Sequence, residues 1–179
     1  EKLKLFKFGI HIANHDNPLD IFVVQNLFGL KTITTINQHL NNFLPFFKFS
    51  VENFGHYCFD YKNFNQRVSA YLFLNTICSK YKKVLIYPSG SIYTSITKRF
   101  SKSVSKLSML HNLEVIAWKF SFKNMSNNIY ENDILKYIFQ RFMSDTTYLK
   151  VEKVKIFNPN EYQNKEEFML ALRDFYSNM

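Results

Sequence analysis

Cysteine is nearly absent from this chain: Cys58 and Cys78 are the only two. Two thiols cannot build the disulfide framework of a small secreted domain, so free, buried thiols in a reducing compartment are expected. Glycine and proline are scarce as well, with four of each in 179 residues. No repeat, low-complexity tract or linker interrupts the sequence. No apolar run approaches the roughly 20 residues a helix needs to span a bilayer. Nothing at the N-terminus resembles a signal peptide. The chain opens on Glu1 and runs straight into an apolar stretch, which fits a longer parent with a preceding membrane-anchoring segment.

What is present is a single domain's worth of sequence, residues 1–179, with 46% apolar residues and enough length for a real core. Its 20 Phe and 11 Tyr stand out. The abundance of Asn, Lys, Ile and Phe fits an AT-rich genome, although some of the aromatics could line an acyl-chain groove or meet a membrane. The formal charge is +9 and the pI about 9.4. A basic surface attracts nucleic acid, anionic lipid headgroups or anionic co-substrates such as coenzyme A, and charge alone does not choose among them. Zinc-finger spacing and an RRM-type aromatic signature are both missing, so nucleic acid is set aside as a partner.

Periodicity supplies the architecture. Strands are expected at residues 6–13, 31–36, 54–61, 84–87, 115–120 and 148–157. Helices are expected at 18–28, ending near Gly29, and at 64–81, where Phe64, Val68, Tyr71, Leu72 and Cys78 keep helical spacing. Further helical stripes run through Phe100, Val104, Leu107 and Leu110, through Ile134, Leu135, Ile138, Phe139 and Phe142, and through Phe168, Ala171, Leu172 and Phe175. Residues 38–47 hold a dense apolar patch broken by Pro45, read as core or as an acyl-chain or membrane contact. Strands alternating with helices predict an α/β fold, a central, mostly parallel mixed sheet flanked by helices. In such sheets the working residues gather beyond the carboxyl ends of the strands.

One stretch carries candidate chemistry. Residues 9–22 read G-I-H-I-A-N-H-D-N-P-L-D-I-F. A strand ends near His15, and a helix starts just after it, with Asn17 as N-cap and Pro18 at the first helical position. Asp20, in the first helical turn, can fold back on His15. A carboxylate there holds one imidazole nitrogen protonated and frees the other as a base. The plainer alternative is that Asp20 closes a capping box with Asn17 and His15 is a polar loop residue. His11 shares a strand face with Ala13, and with His15 and Asp16 or Asp20 it suggests a metal site, but the spacing fits no common zinc pattern. His39, His56 and His111 read as structural or exposed.

The N-H-x4-D arrangement of Asn14, His15 and Asp20 resembles the signature of the glycerolipid acyltransferases, which include the 1-acylglycerol-3-phosphate acyltransferases. Further blocks follow in that family's order. Gly55, Phe59 and Asp60 resemble its G-x-x-F-I-D-R segment, with Tyr61 and then Lys62 where the arginine would stand. Residues 87–93, Y-P-S-G-S-I-Y, resemble F-P-E-G-T-R-S, with Ser89 for glutamate, Ser91 for threonine and Ile92 for arginine. Phe100 to Ser103 resembles F-K-x-G, and residues 113–117 resemble a P-V-V-P-V strand, with Ala117 for the usual proline. The strand from Lys150, the Asn158-Pro159 pair and the last helix complete the likeness. Asp20 points to the glycerolipid branch, since related lipid A acyltransferases carry glutamate there.

The resemblance implies an O-acyltransferase that moves a fatty acyl group from acyl-CoA or acyl carrier protein to the hydroxyl of a lysophospholipid or related glycerolipid. It needs no cofactor beyond that co-substrate and no metal. His15 and Asp20 would be the catalytic pair, and Asn14, Lys62, Ser89, Gly90, Ser91 and Lys102 would meet the substrate. The loss of both arginines removes the guanidinium forks suited to a phosphate. Lys62, Lys98, Arg99 and Lys102 could take their place, or could form a solvated helix face with Lys106. Membrane association as a peripheral protein of the cytoplasmic face is implied. The alternative is a catalytically inactive lipid- or membrane-binding relative of the same fold, motivated by the altered turn at Ser89 and Ile92.

Overall fold

Strand β1, Gly9–Ala13, is buried along its whole length, the state of a strand in the middle of a parallel sheet covered on both faces. The computed structural model describes residues 8–15, 27–28, 32–37, 52–53, 55–80, 83–90, 96, 100–123 and 148–177. After β1 come β2 (Ile33–Asn37), β3 (Tyr57–Phe59), helix α1 (Phe64–Lys80), β4 (Lys83–Ile86), α2 (Ser103–His111), β5 (Val115–Lys123), β6 (Tyr148–Phe157), a short 3-10 turn at Pro159–Glu161 and α3 (Lys165–Ser177). The strands form one sheet in the order β3-β2-β4-β1-β5-β6. Every pairing is parallel except β5 with β6. The expected mostly parallel mixed sheet is therefore present, with the antiparallel strand at one edge.

Alternation along the strands divides the core in two. Ile10 and Ile12 share one face with Val84, Ile86, Val115, Ala117 and Phe157, and the helices cover it with Leu74, Ile77 and Cys78 of α1, Val104 and Leu107 of α2, and Phe168, Leu172 and Phe175 of α3. Ala13, Leu85, Tyr87, Ile116, Trp118 and Phe120 turn to the other face, where Phe28 packs. Phe28 is in a helical segment, and its carbonyl accepts from Thr32 Oγ1 at 2.8 Å and Lys83 Nζ at 3.0 Å. Burial lowers the Lys83 ammonium's affinity for its proton.

Several boundaries differ from the periodicity. β3 is three residues long and not eight, because Gly55 lies in a turn and Asp60 Oδ1 turns the chain by accepting from Lys62 N–H at 2.9 Å. β5 runs three residues past 120, held by its antiparallel register with Tyr148–Lys150. In α1 the stripe through Phe64, Val68 and Leu72 faces out, 67%, 41% and 55% exposed, and Ala70, Leu74, Ile77 and Cys78 face in. α1 is apolar on both sides, so periodicity alone picks no inner face. In α2 Leu110 is exposed, while Val104 and Leu107 are fully buried. α3 matches its stripe and is well capped: Asn164 Oδ1 accepts from Glu166 N–H and Glu167 N–H, and Glu167 Oε2 accepts from Gln163 N–H. Most of the 18–28 helix, the 38–47 patch and the 134–142 helix lie outside the described residues. Among the described residues no helix is long and apolar enough to cross a membrane.

Candidate active site

β1, β2, β3 and β4 are parallel, so their carboxyl ends open at one edge of the sheet. Asn14 and His15 follow β1 there, Asp60 to Lys62 follow β3, and the Tyr87 to Gly90 turn follows β4. β1 and β4 are neighbours, and this brings two distant sequence blocks together: the His15 ring lies 4.6 Å from the Tyr87 ring, tilted by 33°. β3 is three strands from β1, about 14 Å at normal strand spacing. Lys62 can therefore reach a remote part of a ligand but not a group reacting at His15. Its side chain is exposed, with the ammonium 5.9 Å from the Tyr61 ring.

The Tyr87 to Gly90 segment is a tight turn closed by Gly90 N–H on Tyr87 O at 3.0 Å, with Pro88 and Gly90 in positions that such turns favour. Gly90 has φ +67, and a Cβ there would meet nothing within 4 Å. Its N–H is thus committed within the turn, while its outer side is open. Ser89 is buried. Ser101 N–H donates to Pro88 O at 2.9 Å, which draws the start of α2, and with it the exposed Lys102, to the same turn. Asp20 and Ser91 lie outside the described residues, as do Asp16, His39, Lys98 and Arg99.

Asn14 is 5% exposed and spends its amide on β5: Nδ2 donates to Phe120 O at 2.8 Å, and Phe120 N–H donates to Oδ1 at 2.7 Å. Its side chain is thus turned toward the sheet. His11 is fully buried, and its Nδ1 accepts from Trp118 Nε1–H at 3.1 Å, which leaves the proton of the neutral ring on Nε2. The edge of Phe28 packs on it with centroids 4.9 Å apart. Among the described residues no three His, Cys, Asp or Glu gather in a way that could hold a metal. His56 is structural: Nδ1 accepts from Thr34 N–H at 3.3 Å, and burial holds its pKa below the ordinary imidazole value. His111 Nε2 lies 2.8 Å from Asn75 Oδ1. Cys58 and Cys78 are buried thiols that form no disulfide, and burial pushes the Cys78 thiol up to about 12.

Two neighbours of the site gave no sign of their contacts in the sequence. Tyr87 reads there as the last residue of a strand. Tyr176, one of several aromatics in the last helix, sends its hydroxyl to Ile12 O at 3.2 Å and Trp118 O at 3.1 Å.

A sequence model of the acyltransferase family matches residues 2–128, well over half of the chain, from before β1 to beyond β5. The chain belongs to the acyltransferase family. A solved structure with the same fold is the 1-acyl-sn-glycerophosphate (LPA) acyltransferase PlsC from Thermotoga maritima, at a TM-score of 0.61 and 14% identity. The match covers 96% of this chain and 64% of that one, so this acyltransferase-family chain spans less than two thirds of the length of the protein it resembles. No curated protein matches its sequence.

Proposed function

We propose that the chain transfers a fatty acyl group from a thioester, acyl-CoA or acyl carrier protein, to the hydroxyl of a lysophospholipid or related glycerolipid. The observation that carries this reading is the meeting of the Asn14-His15 block with the Tyr87-Pro88-Ser89-Gly90 turn at the carboxyl edge of the sheet, in a chain of the acyltransferase family. An alcohol is a poor nucleophile near neutral pH, and His15 takes its proton as the oxygen attacks the thioester carbonyl. The tetrahedral intermediate collapses, the C–S bond breaks, and the leaving thiolate takes the proton back from the imidazolium. The products are an ester and a free thiol. Asp20, five residues on, orients the ring and stabilises its charged form. No covalent intermediate on the enzyme is needed.

The remaining roles are part of the same proposal. Open space beside Gly90, in the turn that follows Tyr87, supports a substrate contact there, and Ser89 and Ser91 flank Gly90 in the sequence. Lys102 at the start of α2 and Lys62 after β3 supply cationic groups for the acceptor's headgroup in place of the missing arginines. Seating on a membrane is supported by α1, where exposed Phe64, Val68 and Leu72 recur every fourth residue, Arg67 lies over the Phe64 ring, and no acidic residue occurs. Cys58 and Cys78 are buried thiols that form no disulfide, which is in keeping with a reducing compartment and a cytoplasmic face.

The test is transfer from labelled acyl-CoA or acyl carrier protein to a panel of lysolipids in vesicles, with His15→Ala and Asp20→Ala beside the parent. Both variants are expected to stay folded and to lose on the order of 10²- to 10⁴-fold in rate, the usual worth of a positioned general base. Absence of transfer by the parent to every acceptor from both donors overturns the catalytic reading and leaves the lipid-binding one. The preferred lysolipid identifies the acceptor.

A further inference from the structure

We infer that Asn14 is a positioning residue for His15: its side-chain amide replaces the last rung of the β1–β5 ladder and fixes the point at which the main chain leaves the sheet. The inference rests on the proposed role of His15 as the base. The register of the two strands carries it. Ile10 is opposite Val115 and donates its N–H to Glu114 O, and the pairing continues to Ala13 opposite Trp118. One step further Asn14 faces Lys119, and a regular parallel ladder would have its main-chain carbonyl accept from Phe120 N–H. That N–H goes instead to Asn14 Oδ1 at 2.7 Å, and Nδ2 returns a bond to Phe120 O at 2.8 Å.

The exchange has two consequences. Phe120 is 2% exposed, and both of its inward-facing backbone groups are satisfied by one side chain after β1 has ended. The Phe120 N–H that a regular ladder would give to the Asn14 main chain is given to its side chain, and β1 ends at Ala13, two residues before the imidazole. Only a primary amide serves, because the position must accept and donate at once at this reach. An aspartate accepts only, and a serine is too short to span both groups.

Two other groups hold the same spot. The Tyr176 hydroxyl of α3 is shared between Ile12 O and Trp118 O, one carbonyl on each strand just before the exit. The Tyr87 ring lies against His15 from β4. The imidazole is thus attached to a main chain pinned from β5 and α3, and it leans on a ring supplied by β4.

The experiment reads His15 directly. Imidazole ring signals of the uniformly labelled chain are recorded by NMR for the parent, Asn14→Ala and Tyr176→Phe, the second a conservative change that loosens the preceding rung from α3. Assignment comes from the loss of one signal in His15→Ala. The His15 signal is expected to move and broaden in Asn14→Ala, and to a lesser degree in Tyr176→Phe, while those of His56 and His111 stay in place. In the transfer assay kcat is expected to fall by roughly tenfold or more, with KM within about threefold, because misplacement of a catalytic group acts on the chemical step. An unmoved His15 signal in folded Asn14→Ala overturns the inference, whether or not the parent transfers acyl groups. Absence of transfer by the parent, with the signal displaced as expected, counts against the proposed reaction and leaves the positioning role standing.

Discussion

Gly9→Ala tests how closely β1 must approach β5. Gly9 has φ +140, and a Cβ built on it would lie 2.7 Å from Glu114 O and 3.6 Å from both the Glu114 carbonyl carbon and Ile116 Cδ1. Glu114 O is also the acceptor of Ile10 N–H, the first bond tying β1 to β5. An added methyl must therefore displace backbone that is already part of the sheet. The unfavourable backbone angle costs about 1–3 kcal/mol, and disruption of that hydrogen bond adds about 1 kcal/mol. Loss of glycine's freedom in the unfolded chain returns about 0.4–1 kcal/mol. The net destabilisation is about 1–3.5 kcal/mol, a drop in melting temperature of roughly 2–14 °C for a chain of this size. Gly90→Ala is the matched control: its φ is +67, but nothing lies within 4 Å of its Cβ, so it bears the backbone cost of about 1–2 kcal/mol without the collision. Thermal melts of the two variants decide the point. If Gly9→Ala melts no lower than Gly90→Ala, the close-approach argument is wrong.

Two further expectations come from buried titratable groups. With the Cys78 thiol pushed up to about 12, about one molecule in ten thousand is ionised there at pH 8. An aromatic disulfide reagent should leave the native chain nearly untouched and titrate two thiols after denaturation, and rapid native reaction at Cys78 would refute the burial. Burial also holds the folded-state pKa of His56 below 6.5, while its Nδ1 accepts from Thr34 N–H. The unfolded chain then binds the proton more readily, so this stability is complete above pH 6.5 and is lost as pH falls through the lowered folded value. Melting between pH 8 and 5 should flatten in His56→Asn relative to the parent, and parallel curves would remove His56 as the cause.

Local chemistry made much of this molecule legible. β4 and its turn follow from an apolar run stopped by Pro88 and Gly90, α3 from the Phe168, Leu172 and Phe175 stripe, and β6 from an extended run whose bounds, Tyr148–Phe157, the structure reproduces. The elements that differ from the periodicity depend on partners far away in sequence. β5 is lengthened by antiparallel pairing with β6, and the inner face of α1 is chosen by the β3, β4 and α2 elements it packs on, since apolar residues ring it. The site divides the same way. The N-H-x4-D spacing marks His15, but the Asn14 amide pairs with a backbone 106 residues on, and Tyr87 meets His15 only because β4 is inserted beside β1. Neither relation leaves a periodic trace.

Trp118 gives the molecule a built-in optical gauge. It is the only tryptophan in the chain, it is fully buried, and it sits on β5 opposite Ala13, two residues before His15. Its indole is bonded to His11 and stacked on Phe120, the residue whose backbone Asn14 clamps. Excitation of this single fluorophore therefore reports on the underside of the candidate active site with no label attached, and its emission should lie toward the blue. A lipid or thioester that shifts the end of β1 will change that light before any product has formed.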